Sequence, residues 1–147
     1  MKIKKEDRNL LIAVALGDGY ICKKGSLQIN HSPRQKEYIE YKHSLVSKLY
    51  SCNLTTRKFS NGFDTIQFRT KQAPFLKVLR RVLYPSNKKT LNRKLLNRLD
   101  LRGLAIWWMD DGTKGIKYNK DRSKIKACVY RLCLCTTKEQ CQIVIDW

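Results

Sequence analysis

Leu11-Ile12-Ala13-Val14-Ala15-Leu16-Gly17-Asp18-Gly19-Tyr20 and Leu104-Ala105-Ile106-Trp107-Trp108-Met109-Asp110-Asp111-Gly112-Thr113 are two versions of one phrase. Each is an apolar run that stops at Asp-Gly. In each, the apolar residues recur at helical spacing and the glycine ends the helix. Each run therefore delivers one carboxylate to the end of a buried helix. Two such helices side by side would bring Asp18 and Asp111 to one place. A pair of aspartates in a chain of net charge +19 suggests a metal site facing a polyanion.

Composition narrows the partner. Lys and Arg total 31 against 12 acids, and the pI is near 9.9. A basic balance of this size points first to nucleic acid, with a ribosomal-type basic protein or an anionic membrane surface as the alternatives. At 147 residues the chain suffices for one domain with a real core, and 42% hydrophobic content fits a globular protein. No apolar run approaches the ~20 residues a membrane span needs. The charged start, Met1-Lys2-Ile3-Lys4-Lys5, lacks a signal-peptide core. The expectation is an intracellular protein with no membrane partner. The six cysteines contain no C-x-x-C pair and read as reduced, mostly buried thiols, with a zinc site at Cys133 and Cys135 the lesser alternative.

Along the chain, residues 8–17 read as a helix. Ser26–His31 alternates and reads as a strand with Leu27 and Ile29 inward and Gln28 and Asn30 outward. Ser32-Pro33-Arg34-Gln35 reads as a capping box opening a helix to about Tyr50, with Tyr38, Tyr41, Leu45 and Leu49 on its apolar face. Thr55–Phe59 and Thr65–Thr70 flank an Asn-Gly turn at Ser60-Asn61-Gly62, so they predict a hairpin with Ile66 and Phe68 inward. A helix follows over Pro74–Leu83 with Phe75, Leu76, Leu79 and Val82 as its stripe. After a basic connector, the second Asp-Gly helix (about Leu101–Asp110), a strand over Ile125–Cys135 and a capping box at Thr137-Lys138-Glu139-Gln140 restart the order. The predicted units are residues 1–84 as a first repeat, 85–100 as connector, and 101–147 as a second repeat cut off after its first half.

These residues resemble the LAGLIDADG homing endonuclease family, in its two-motif, single-chain branch. Leu11 through Gly19 and Leu104 through Gly112 match the two motifs. The stretches from His31 to Tyr38 and from Asn87 to Leu91 are similar to that branch as well. The resemblance implies an α+β fold of tandem αββαββα repeats, here with the second incomplete, whose motif helices pack at a pseudo-twofold axis and whose sheets lie in the DNA major groove. Ala13 and Gly17, small at i and i+4, suit such close helix packing; Ile106, Trp107 and Trp108 of the second helix depart from it.

The resemblance also implies a chemistry. It implies a site-specific endonuclease that hydrolyses phosphodiester bonds at a long double-stranded DNA site, in intron or intein homing, with Mg²⁺ (or Mn²⁺) held by Asp18 and Asp111 and by the carbonyls of Gly17 and Asp110. Asp110 is the weaker candidate as a carboxylate ligand, because Asp111 holds the family position. Lys89 matches the family lysine near the scissile phosphate, with Lys88 the close alternative. Gln28, Asn30, Arg57, Thr65, Gln67 and Arg69 are the expected DNA-binding positions, since outward Arg and Gln pair naturally with guanine and adenine. His31 and His43 read as structural or phosphate-contacting. Two other functions stay open on the same scaffold: an intron RNA maturase and a DNA-binding remnant without catalysis. The shortened second repeat raises association through an exposed apolar edge as an alternative to a monomer. Nothing in the sequence separates a bacterial or phage cytoplasm from a mitochondrion or chloroplast.

Overall fold

The structure, a computed structural model, describes residues 3–59, 64–134 and 136–147. Helix α1 (Lys5–Leu16) is the centre of the core. From Asn9 to Leu16 every residue is buried. A helical stretch that is apolar all round must be covered on all sides, and α1 contributes Leu10 through Leu16 to a single apolar cluster. That cluster also takes in Ile21, Leu27, Ile29, Ile39, Phe68, Leu76, Leu83, Ile106 and Trp107.

The strands β1 (Tyr20–Ile21), β2 (Leu27–His31), β3 (Cys52–Arg57) and β4 (Thr65–Thr70) form one antiparallel sheet in the order β1-β2-β4-β3. Alternation settles its faces: Leu27, Ile29, Ile66 and Phe68 are buried, while Gln28, Asn30, Gln67 and Arg69 turn away from the core. Between β2 and β3, a single 3-10 turn (Pro33–Gln35) leads into α2 (Lys36–Val46). Helix α3 (Pro74–Leu83) begins with Pro74 in its first turn, as the sequence predicts, because proline there gives up no hydrogen bond. A short helix, α4 (Arg93–Leu96), interrupts the connector. Then come α5 (Leu101–Asp111), the hairpin β5 (Gly112–Tyr118) and β6 (Ile125–Leu132), and α6 (Lys138–Ile145). The order helix, strand, strand, helix thus occurs as α1-β1-β2-α2 and again as α5-β5-β6-α6.

Several expectations need correction. No strand was expected at Gly112–Tyr118, yet it pairs with β6 along its length. β6 ends at Leu132, short of the expected Cys135, which with the Ser60-Asn61-Gly62 turn lies outside the described residues. Ser32 makes no side-chain cap; the Gln35 amide oxygen sits 3.1 Å from His31 Nδ1 instead. At α6 only half of the box forms, since Thr137 Oγ1 accepts from Gln140 N while the Gln140 side chain accepts from Leu91 N and Thr136 Oγ1. Helix α2 buries Ile39, Lys42 and Val46, and leaves Tyr41 exposed. On α3, Leu83 takes the place expected of Val82, which faces outward. The described cysteines are exposed or half-buried, none fully buried. Among the described residues no helix is long and apolar enough to cross a membrane.

Candidate metal centre and nucleic-acid interface

Helices α1 and α5 touch where their backbones can approach most closely. At one end Gly103 of α5 lies against Asn9, and a Cβ there would stand 2.1 Å from Asn9 Oδ1. At the other end a Cβ on Gly17 would stand 2.0 Å from Asp110 Oδ2. Gly17 is required by that approach, because no atom can occupy the space the carboxylate fills. Gly17→Ala is therefore expected to lose about 2–3 kcal/mol of stability, the cost of forcing an atom into a packed site, measurable by urea unfolding. An unchanged midpoint would mean that the helix ends can part without cost. The sequence made Ala13 and Gly17 conspicuous; Gly103, on the partner helix, was missed.

The close approach brings both motif ends together. The backbone turns at Gly17, with Gly17 N donating to Ala13 O and Gly19 N to Val14 O. Asp18 N is left over, and Asp110 Oδ2 accepts from it at 3.0 Å. Asp110 and Lys42 form an ion pair whose side chains are both wholly buried. Tyr38 Oη also donates its one proton to Asp110 Oδ1, at 2.6 Å, with Ile106 O the other acceptor within reach at 3.1 Å. Lys42 further donates to His31 Nε2 (3.1 Å) and lies 4.3 Å from the centre of the Tyr38 ring. Since an ammonium only donates, His31 Nε2 accepts, and its proton is on Nδ1, facing Gln35. Burial and the Lys42 charge hold the His31 pKa below its ordinary value, so its 3.8 Å contact with Asp18 is not an ion pair at neutral pH. Of the two histidines, His43 is structural too, with Nε2 3.0 Å from Cys52 O.

Asp18, His31 and Asp110 have ligand atoms within 4.8 Å of one another. That trio is a poor cation cage, because Lys42, Tyr38 and the Asp18 amide already occupy both Asp110 oxygens. The open carboxylates are Asp18, whose side chain is 39% exposed, and Asp111. Asp111 Oδ2 accepts from Trp107 Nε1 at 2.9 Å. Burial and then the charge of Asp110 push the Asp18 pKa up, against the pull of the Lys42 and Lys89 charges. Burial raises Asp111 as well, opposed by the Trp107 bond and assisted by the charges of Asp18 and Asp110. Negative charge thus accumulates where both helices also present their C-terminal, negative dipole ends.

Lys89 answers that charge. Its Nζ donates to Gly17 O (2.5 Å) and Leu16 O (3.2 Å), the free carbonyls ending α1. Burial lowers its pKa, with the charges of Asp111, Asp18 and Asp110 working the other way. Lys88, the alternative, is exposed. Leu16, Gly17, Lys89, Asp111, Leu134 and Gln140 are among the residues around a cavity of about 180 Å³ at this point.

The outward sheet face is polar in aligned rows. Tyr20, Gln28, Arg69 and Asn53 stand opposite one another across β1, β2, β4 and β3; Asn30, Gln67 and Thr55 form the next row, and Thr65 with Arg57 the last. Arg69 Nη2 donates to Gln28 Oε1 at 2.7 Å, and Gln28 Nε2 to Asn30 Oδ1 at 3.3 Å. A groove of about 470 Å³ runs over this face, lined by Gln28, Arg57, Gln67 and Arg69 among the expected positions. Asn53, Thr55 and Lys71 also line it and were missed. Asn30 and Thr65 lie on the same face outside the groove. The strand alternation that revealed β4 extends to Asn53 and Thr55 in β3 and could have found them.

Comparison with known proteins agrees with this geometry. The LAGLIDADG DNA endonuclease family matches residues 8–147. The fold is similar to that of the homing endonuclease I-WcaI, solved bound to its DNA recognition sequence, with a TM-score of 0.75 and 29% identity over 99% of this chain and 67% of that one. Protein RecA of Mycobacterium leprae (strain TN) is 28% identical over 134 residues, which are 82% of this chain and 18% of RecA. Protein RecA of Mycolicibacterium fallax is 30% identical over 110 residues, 69% of this chain and 25% of RecA. The chain thus spans about a fifth to a quarter of the length of these curated relatives. With nearly its whole length matched, and two apolar helices ending in juxtaposed Asp-Gly turns, the chain belongs to the LAGLIDADG DNA endonuclease family.

Proposed function

We propose that this protein is a metal-dependent, site-specific endonuclease for double-stranded DNA, with Asp18 and Asp111 each serving one strand. The observation that carries the reading is the arrival of two open carboxylates at the abutting ends of α1 and α5, with the Asp18 amide bonded to Asp110, the neighbour of Asp111, and the charge of Asp18 helping to raise the Asp111 pKa. They lie in a chain of net charge +19 that also carries a ruled polar sheet face. The organisation that fits is two repeats, residues 1–84 and 101–147, joined by a basic connector over 85–100.

The donor set suits a hard divalent cation such as Mg²⁺ or Mn²⁺: carboxylate oxygens of Asp18 and Asp111, and the lone pair of the Gly17 carbonyl that Lys89 leaves open, at the negative ends of two helices. Asp110 would contribute no carboxylate oxygen, as both of its oxygens are engaged. Bound there, the cation would activate water and relieve charge on the leaving oxygen. The remaining work falls to the chain itself. Lys89, drawn to Gly17 O, would stabilise the negative charge that develops on the phosphate. Trp107 holds Asp111 by one hydrogen bond. Gln28, Asn30, Arg57, Thr65, Gln67 and Arg69 would read bases or grip phosphates, and the other cations would supply salt-dependent affinity.

The test is selection of a duplex from a randomised library on the immobilised protein in Ca²⁺, followed by addition of Mg²⁺. Release of cut duplex at a defined sequence is expected; a retained duplex that survives Mg²⁺ intact would overturn the reading. On the selected duplex, Arg69→Ala should cost about 1–3 kcal/mol in discrimination at a single base position. Competition with single-base variants of the site measures it. A uniform loss at all positions would make Arg69 a phosphate contact instead.

A further inference from the structure

We infer that Asp110 is a positioning residue for Asp18 alone, so that the buried Asp110–Lys42 pair governs cleavage of one DNA strand and not the other. The consequence for strands rests on the endonuclease reading; the positioning itself does not. The two motifs differ in the residue before the helix-end aspartate: it is Gly17 in the first and Asp110 in the second. Asp110 reaches from α5 across to α1 and accepts from the backbone N–H of Asp18. Gly17 has no side chain with which to return that bond to Asp111, and its bare Cα makes the room Asp110 occupies. Asp111 is held from within its own helix, by Trp107. The two carboxylates are therefore supported by different means.

The pair is an expensive way to hold a fold. An anionic side chain at a helix C-terminus opposes the dipole, and a buried ion pair is often no more stabilising than apolar residues of like volume. What the arrangement provides is a fixed acceptor. Lys42, Tyr38 and the Asp18 amide converge on one carboxylate, and His31 braces Lys42 from behind. The Asp18 backbone is thereby pinned at the first atom of the residue whose side chain faces the site.

Two neutral double variants separate positioning from bulk stability. In Lys42→Met with Asp110→Asn, the amide oxygen can still accept from Asp18 N, while its NH₂ donates to Tyr38 Oη and Tyr38 donates to Ile106 O. In Lys42→Met with Asp110→Leu, no acceptor remains. The first readout is amide hydrogen exchange in metal-free protein, with Gly19 N, bonded to Val14 O, as internal reference. The Leu double should speed Asp18 exchange relative to Gly19 by about tenfold or more; the Asn double should not.

The second readout is cleavage of the selected duplex with its strands labelled differently, the Asp18 strand being the one spared in Asp18→Asn. The Leu double should slow that strand by about tenfold to 10²-fold, the scale of a small misplacement of a reacting group, and leave the other within about twofold. Unchanged Asp18 exchange in the Leu double, equal slowing of both strands, or equal impairment of the two doubles would overturn the inference. If the unaltered protein cuts neither strand, the endonuclease reading fails while amide exchange still decides whether Asp110 pins Asp18.

Discussion

Asp18→Asn is expected to reduce cleavage of one DNA strand by at least about 10³-fold while leaving binding of the selected duplex in Ca²⁺ within a few-fold. The substitution keeps shape and removes the charge that a divalent cation needs. A metal's electrostatic contribution is worth several kcal/mol, and about 4 kcal/mol of barrier corresponds to 10³ in rate. Binding should survive because the outward rows of the sheet, from Gln28 to Arg69, lie on other elements. Asp111→Asn should do the same to the opposite strand. Nicked product should accumulate in each single variant, and neither strand should be cut in the double. Equal loss on both strands from one substitution would contradict the assignment of one carboxylate to each strand.

Lys42→Met should destabilise the fold by about 3–5 kcal/mol, because it strands the Asp110 carboxylate in a site where its counter-charge was wholly buried. For a domain of this size that corresponds to a drop of about 10–16 °C in melting temperature. Lys36→Met makes the comparison within the same helix. Lys36 pairs with Glu40 at 3.8 Å on the surface, both side chains largely solvated, and its loss should cost no more than about 0.5 kcal/mol. Equal melting temperatures for the two variants would show that the buried pair holds the fold no more than the surface pair does.

Lys42 also marks where reading the sequence stops. Tyr38, Tyr41, Leu45 and Leu49 make a plausible apolar face for α2, and a lysine between them reads as solvated. It is buried only because Asp110, 68 residues away, arrives beside it. A partner at that separation leaves no local pattern. Asp110 itself reads as a spare acid beside Asp111, and its role becomes visible only where α5 crosses Gly17.

Elements announced by strong local chemistry were legible. Pro74 opens α3, and alternation in β2 and β4 assigns their faces. The two Asp-Gly endings placed Asp18 and Asp111 on helices that do pack together. β5 was missed because Thr113-Lys114-Gly115-Ile116-Lys117 has neither an apolar alternation nor a run of β-branched residues; its pairing with β6 supplies the order. On the sheet, the outward residues of β2 and β4 were legible by parity, and the same parity reaches Asn53 and Thr55 in β3, whereas Lys71 joins them only through the shape of the groove.

The most direct measurement maps both 5′ ends produced when the unaltered protein acts on the selected duplex, in Mg²⁺ and in EDTA. If the carboxylates ending the two abutting helices each serve one strand, one cut is predicted on each strand, at a constant stagger, in Mg²⁺ only. Ends that persist in EDTA, ends scattered along the duplex, or intact DNA would contradict a metal site shared between Asp18 and Asp111.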